Sequence, residues 1–170
     1  MQPLHSRPLD KFPSALQNLT MPSFRTTRRV SHSADDMFDL VADVEQYPKF
    51  VPLCESLRIR RTEQHDGKPA FVADMTVAYK VFRETFTSRV TLDRDNLAIL
   101  VEYVDGPFRR MENRWRFIPQ GEAACTVEFL IEYEFRSRTL GMLMGAVFDR
   151  AFRRFAEAFE TRADQVYGLA

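Results

Sequence analysis

The stretch SRTLGMLMGAVFDRAFRRFAEAFETRADQVYG, residues 137–168, decides the fold. Read as one helix, it places Leu140, Met144, Val147, Phe148, Ala151, Phe152, Phe155, Ala158 and Phe159 on one wide stripe. Asp149, Arg150, Arg153, Glu157, Glu160 and Asp164 fall on the opposite side. Asp149, Arg153 and Glu157 alternate in sign at four-residue spacing, which suits a solvated face. Ser137 or Thr139 can cap the start, and Gly168 suits a left-handed closing position. A stripe with four phenylalanines must lie against something large and concave. Arg162 breaks the pattern: it falls near the middle of the stripe and needs a partner or a route to water.

Upstream, the chain reads as strands that supply that concave surface. Phe24 to Val30 alternates as a first strand. Ser33 then caps a helix whose buried stripe is Met37, Leu40, Val41 and Val44, with Asp36 placed to answer the cap. The Tyr47-Pro48 step stops this helix or starts a short second one. Six strand-like runs follow, near 54–64, 68–81, 83–93, 97–104, 108–118 and 124–136. One face of the second holds Phe71, Ala73, Met75, Val77 and Tyr79; one face of the fifth holds Met111, Asn113, Trp115 and Phe117. Val127, Phe129, Ile131, Tyr133 and Phe135 share a face of the last. Short links make neighbours antiparallel. The expected class is α+β, in the order β-α-α-β6-α: a curved antiparallel β-sheet wrapped around a long C-terminal helix.

Bulk properties narrow the function. The 170 residues suit one domain, and 15 phenylalanines supply a generous core. Lys+Arg and Asp+Glu are 24 each, which argues against bulk attraction to nucleic acid, DNA included. Cys54 and Cys125 form no C-x-x-C pair and read as buried thiols of a reducing compartment. No apolar run is long enough to span a bilayer. Residues 1–21 read as a flexible N-terminal extension or as sequence upstream of a usual start at Met21. An organelle-targeting segment is the other reading, because the stretch is poor in acids. Residues 22–170 form the domain.

An up-and-down sheet puts alternate turns at opposite ends. One end collects the polar turns at His65–Lys68, Asp93–Asn96 and Pro119–Glu122. The other collects Val81-Phe82, Gly106-Pro107-Phe108 and the helix start Leu140–Met144, so one pole is expected to be greasy. Catalytic signatures are lacking. His5, His32 and His65 have no metal-ligand spacing, and there is no phosphate cradle, G-x-S-x-G or H-E-x-x-H. Cys54 is either a nucleophile or a buried thiol, and no histidine accompanies it in sequence. Asn113, Tyr79 and Tyr133, with Glu84 and Ser88 as further candidates, share inward positions with apolar neighbours. They meet the polar head of a ligand or satisfy local hydrogen bonds.

The phrase Leu40-Val41-Ala42-Asp43-Val44-Glu45-Gln46-Tyr47-Pro48-Lys49-Phe50-Val51-Pro52-Leu53-Cys54 resembles the coenzyme Q-binding branch of the START-like, polyketide cyclase/lipid-transport superfamily. Asp105-Gly106-Pro107-Phe108, Asn113-Arg114-Trp115-Arg116-Phe117, Tyr133-Glu134-Phe135-Arg136-Ser137 and the closing Ala158-Phe159-Glu160 are similar in the same order. The resemblance implies the helix-grip fold and a hydrophobic tunnel between sheet and terminal helix. It implies ubiquinone (coenzyme Q) or a related polyprenylated lipid as bound ligand, carried in support of respiration or quinone biosynthesis. No catalytic cofactor, metal or enzymatic activity is expected. The same branch includes bacterial ribosome-association toxins, described as binding the large ribosomal subunit and blocking subunit joining, and the phrase does not separate the two groups.

On the lipid reading, Val51 and Pro52 close the cavity; Met75, Val77, Tyr79, Phe86, Asn113, Trp115, Phe129, Ile131 and Tyr133 line it; and Met144, Phe148 and Phe152 cover it. Val81, Phe82, Phe108, Met142 and Leu143 form a rim for peripheral contact with a bilayer. On the ribosome reading, Arg25, Arg28, Arg29, Arg58, Arg60, Arg61, Arg109, Arg110, Arg150, Arg153 and Arg154 are candidates for rRNA phosphates. Either reading places the protein in a cytoplasm, with inner-membrane contact on the first, or in a mitochondrial matrix if the source is eukaryotic.

Overall fold

A computed structural model describes residues 22–169. The expectations for residues 1–21 lie outside the described residues. The order is β1 (Ser23–Val30), α1 (Ala34–Ala42), a 3₁₀ helix (Val44–Lys49), β2 (Cys54–His65), β3 (Lys68–Tyr79), β4 (Phe82–Asp93), β5 (Ala98–Asp105), β6 (Phe108–Pro119), β7 (Cys125–Phe135) and α2 (Arg138–Tyr167). The strands form one seven-stranded sheet in the order β1-β7-β6-β5-β4-β3-β2. Every pairing is antiparallel. This is the expected helix-grip architecture.

Caps set both long helices. Ser33 Oγ accepts from the Asp36 N–H at 3.1 Å, and Ser137 Oγ accepts from the Leu140 N–H at 3.2 Å. Each satisfies one orphan donor of a first turn. Gly168 closes α2 at φ 88°, ψ 161°. The position is the expected one, but the conformation is not left-handed helical; the chain leaves extended, in a region open to glycine alone.

Inward strand positions follow the two-residue period, so Met111, Asn113, Trp115 and Phe117 face α2 with Val127, Phe129 and Ile131 beside them. Phe159 sits against Trp115, Phe50 and Tyr47 at ring distances of 5.0, 5.1 and 5.2 Å. Burying each such ring contributes about 1.5–3 kcal/mol, which holds a thirty-residue helix that carries many charges. Arg162 answers its awkward position by lying over the Phe50 ring at 5.4 Å. Its Nε has no hydrogen-bond partner among the described residues.

Register shifts in the β2–β3, β4–β5 and β6–β7 pairings redirect side chains. Between Phe108 and Arg110 the register against β7 slips, leaving Arg109 as the extra residue. Phe108 therefore turns inward, 2% exposed, and packs on Phe135, Phe86, Tyr103 and Phe148. This corrects its expected place on the rim. A second bulge, opposite Thr87 and Ser88, makes Val104 the extra residue of β5.

The greasy pole is present but is not unique. Val81, Met142 and Leu143 are exposed at 103%, 85% and 69% on the end where β3 meets β4 and α2 begins. Val166, Tyr167 and Leu169 are exposed at the opposite end, where α2 finishes.

Candidate functional site

Between the concave sheet face and α2 lies a cavity of about 110 Å³. Small side chains create it. Ala73 and Ser88 face each other in the β3–β4 register, and Ala151 is the small residue of α2 on the cavity wall. Larger neighbours, Trp115, Phe148, Phe152 and Phe159, wall the space without filling it. Half-exposed Pro52, Leu53, Leu57 and Met75 place the opening along the β2–β3 side, where α2 no longer covers the sheet.

Of the expected lining residues, Val51, Pro52, Met75, Val77, Phe86, Asn113, Trp115, Ile131, Phe148 and Phe152 are on the cavity wall. Tyr79, Phe129, Tyr133 and Met144 are not. Tyr79 sits at the end of β3 under the Lys80 ammonium, 5.3 Å from the ring centre. Phe129 is behind Trp115, with ring centres 4.7 Å apart, and contacts Phe155 on the β1 side of α2. Tyr133 packs against Phe152 and Phe148, and Met144 is buried in the second turn of α2. Phe129, Tyr133 and Met144 serve the core on the side where helix and sheet are already closed, whereas Tyr79 is half-buried at the end of β3, on the open side.

The sequence reading missed the strap of Val41, Val44 and Tyr47, which crosses one end of the cavity. Its apolar spacing was visible, but nothing in that spacing names the surface it covers. It also missed Ile99 and Val101, because β5 opens on the continuous apolar run Ala98–Val101, which does not say which face turns inward.

The chemistry of the wall is nearly uniform. Among the described residues, it includes no Asp, Glu, His, Lys or Arg. The Tyr47 hydroxyl donates to the Val41 carbonyl at 2.5 Å, and burial pushes its pKa far up. Asn113 is already committed: its Nδ2 donates to the Leu130 carbonyl at 2.9 Å, and its Oδ1 accepts from Trp115 Nε1 at 2.8 Å. Ser88 is different. Its residue is 6% exposed, it lines the cavity, and its hydroxyl has no hydrogen-bond partner among the described residues. Cys54 lies outside the wall, and burial pushes its thiol up to about 12, which leaves a protonated thiol at neutral pH. The side chains of the wall offer apolar contact and hydrogen bonds, with no nucleophile–base pair.

At the end where β3 meets β4 and α2 begins, Val81, Met142 and Leu143 are exposed, while Phe82 leans inward on Phe148 at 6.2 Å. The arginines form no single patch. Arg60, Arg61, Arg109 and Arg153 pair with Asp74, Glu63, Glu134 and Asp149 at 2.6–3.9 Å, and Arg28 pairs with Glu160. Arg25, Arg29, Arg58, Arg110, Arg150 and Arg154 make no ion pair among the described residues. Arg25 and Arg29 lie on β1 and Arg58 on β2, the two opposite edges of the sheet.

The family described as "Polyketide cyclase / dehydrase and lipid transport" matches residues 30–160. The chain belongs to this family. Among similar family proteins is the ribosome association toxin RatA of Escherichia coli K12, 36% identical over 152 residues, covering 89% of this chain and 93% of the relative. The mitochondrial coenzyme Q-binding protein coq10 of Schizosaccharomyces pombe is 29% identical over 121 residues, covering 71% and 73%. The solution structure of an 18 kDa protein from Caulobacter crescentus is 37% identical, covers 88% of this chain and all of that one, and superposes with a TM-score of 0.71.

Proposed function

We propose that the protein binds ubiquinone or a related polyprenylated lipid in the cavity between sheet and α2, and carries it in support of respiration or quinone biosynthesis. The observation that carries this reading is the cavity itself: an apolar, ring-walled space with an opening, in a family whose members include a coenzyme Q-binding protein. Each CH₂ withdrawn from water contributes about 0.8 kcal/mol, so a lipid whose apolar parts lie against this wall and its apolar opening needs no dense polar site for affinity. Without a nucleophile–base pair among the described lining residues, the role is carriage rather than catalysis, and no catalytic cofactor is needed. The exposed Val81, Met142 and Leu143, at the end where β3 meets β4 and α2 begins, suit peripheral contact with a bilayer at which ligand is exchanged. Among the described residues, no helix is long and apolar enough to cross a membrane.

The test is extraction. The full chain, purified from a quinone-producing host, is extracted with organic solvent and the extract read by ultraviolet absorbance and mass spectrometry. Quinone is expected with the wild-type protein and is expected to fall at least several-fold with Ala151→Leu, which fills the cavity from α2. An extract free of quinone and of any prenyl lipid would end the carrier reading.

The similarity to RatA favours a second reading, association with the large ribosomal subunit. The arginines without acidic partners, Arg25, Arg29, Arg58, Arg110, Arg150 and Arg154, are the groups for it. Co-sedimentation with isolated subunits that weakens steeply between low and moderate salt supports this reading, because phosphate contacts release counterions. Sedimentation free of subunits at low salt removes it.

A further inference from the structure

We infer that the cavity takes the ring of its ligand, not the chain, and that the Ser88 hydroxyl donates a hydrogen bond to a ring carbonyl while the prenyl chain leaves past Pro52 and Leu53. This inference rests on the quinone reading above and adds an orientation and a polar anchor to it.

Size sets the orientation. The open space is about 110 Å³. An engineered apolar cavity of about 150 Å³ accommodates a single benzene, and sites that enclose drug-sized ligands hold roughly 300–1,000 Å³. The space therefore matches one six-membered ring and is far short of a polyprenyl chain. In the sheet floor two small side chains, Ala73 and Ser88, sit side by side and leave room for a ring.

Polar accounting sets the anchor. Among the wall residues, Asn113 has its amide bonded on both sides, and the Tyr47 hydroxyl is spent on Val41. Of the side-chain polar atoms on the wall, only Ser88 Oγ is buried with no partner among the described residues. An unpaired buried hydroxyl costs about 1–3 kcal/mol, so a fold that keeps one on an apolar wall has a partner waiting to be supplied. A quinone oxygen only accepts, and a serine hydroxyl can donate. Its register partners do not compete: Ala73 has no polar side-chain atom, and Tyr103, whose hydroxyl accepts from the Phe108 N–H at 3.2 Å, is not on the cavity wall. Thr87, the preceding residue, points to the other face and bonds Asp74 at 2.5 Å.

The experiment titrates the full chain with a short-chain prenylated benzoquinone and, separately, with a benzene carrying the same prenyl chain and no oxygen. Binding is read by quenching of Trp115, the single tryptophan and a wall residue, and independently by equilibrium dialysis. Wild type, Ser88→Ala, Ser88→Cys and Ser88→Thr are compared. The expected result is a roughly 3- to 10-fold weaker quinone affinity in Ser88→Ala and Ser88→Cys, the range of one hydrogen bond. Ser88→Thr retains quinone binding, and the prenylbenzene is bound equally by all four. Quinone affinity unchanged in Ser88→Ala and Ser88→Cys overturns the anchor and leaves the quinone reading standing. Equal loss for quinone and prenylbenzene also overturns it, since that is a packing effect. Wild-type protein that binds neither probe removes the quinone reading and the anchor with it.

Discussion

Trp115 Nε1 donates to Asn113 Oδ1 at 2.8 Å, so two inward residues of one strand hold each other. Asn113 also donates to the Leu130 carbonyl on β7. It is thus a bracket that fixes the indole of the cavity wall. Asn113→Ala leaves the buried indole N–H and that carbonyl unpaired and is expected to cost about 2–4 kcal/mol in urea unfolding. In a Trp115→Phe background the same substitution is expected to cost at least 1 kcal/mol less, because one of the orphaned groups is gone.

Gly106 lies against Phe86. It adopts φ +141°, and a Cβ built there would sit 2.6 Å from Phe86 Cβ and 2.9 Å from Phe86 Cα. Neither atom is the far end of a flexible side chain. Gly106→Ala therefore strains the β5–β6 turn and pushes on a wall residue of the cavity at once. A loss of about 2–4 kcal/mol is expected, seen as a lower urea midpoint with unchanged slope, with quinone binding weakened in the fraction that remains folded.

Stability is expected to fall at alkaline pH. Burial pushes the Cys54 thiol up to about 12 and the Cys125 thiol up to about 11, and burial raises Tyr47 as well. The unfolded chain ionises its thiols near pH 8.5, while the folded chain still holds those protons. The folded state then binds more protons than the unfolded one, so stability declines as pH rises from about 8.5 toward the folded values. Each thiol contributes up to about 1.4 kcal/mol per pH unit in that window. Urea midpoints measured from pH 7 to 10.5 check this, and Cys125→Ala is expected to flatten the curve.

Much of this was legible in the sequence, for identifiable reasons. The alternation of Val127, Phe129, Ile131 and Tyr133 marks β7 because a half-buried strand must repeat every two residues. Ser33 was visible as a cap, and Ser137 as one of two candidates with Thr139, because capping is local. Phe108 was misplaced because a bulge resets the two-residue period, and a bulge between ordinary residues such as Phe108, Arg109 and Arg110 leaves no mark of its own. Asn113 is inward, as expected, but whether its amide is free for a ligand depends on Leu130, a strand away. Ser88 as the unpartnered hydroxyl emerges only when every neighbour has been accounted for. The cavity is likewise an outcome of which small residues meet, Ala73 with Ser88 beneath Ala151, and such pairing is a property of register.

The two exposed apolar ends of the molecule allow the membrane contact to be assigned to one of them. Val81 and Met142 stand at the end where β3 meets β4 and α2 begins, and Val166 stands at the far end of α2, each exposed enough that a charge there changes stability by no more than about 0.5 kcal/mol. If ligand passes to a bilayer at the first of these ends, Val81→Asp combined with Met142→Asp removes apolar area from the contact and sets two charges against the interface. Flotation with vesicles of zwitterionic and anionic lipid is then expected to show at least about a tenfold weaker partition. Val166→Asp is the control at the other pole and is expected to float like the wild type. Equal losses from both variants would mean that the apolar ends attract lipid without regard to the cavity, and membrane contact would lose its link to ligand exchange.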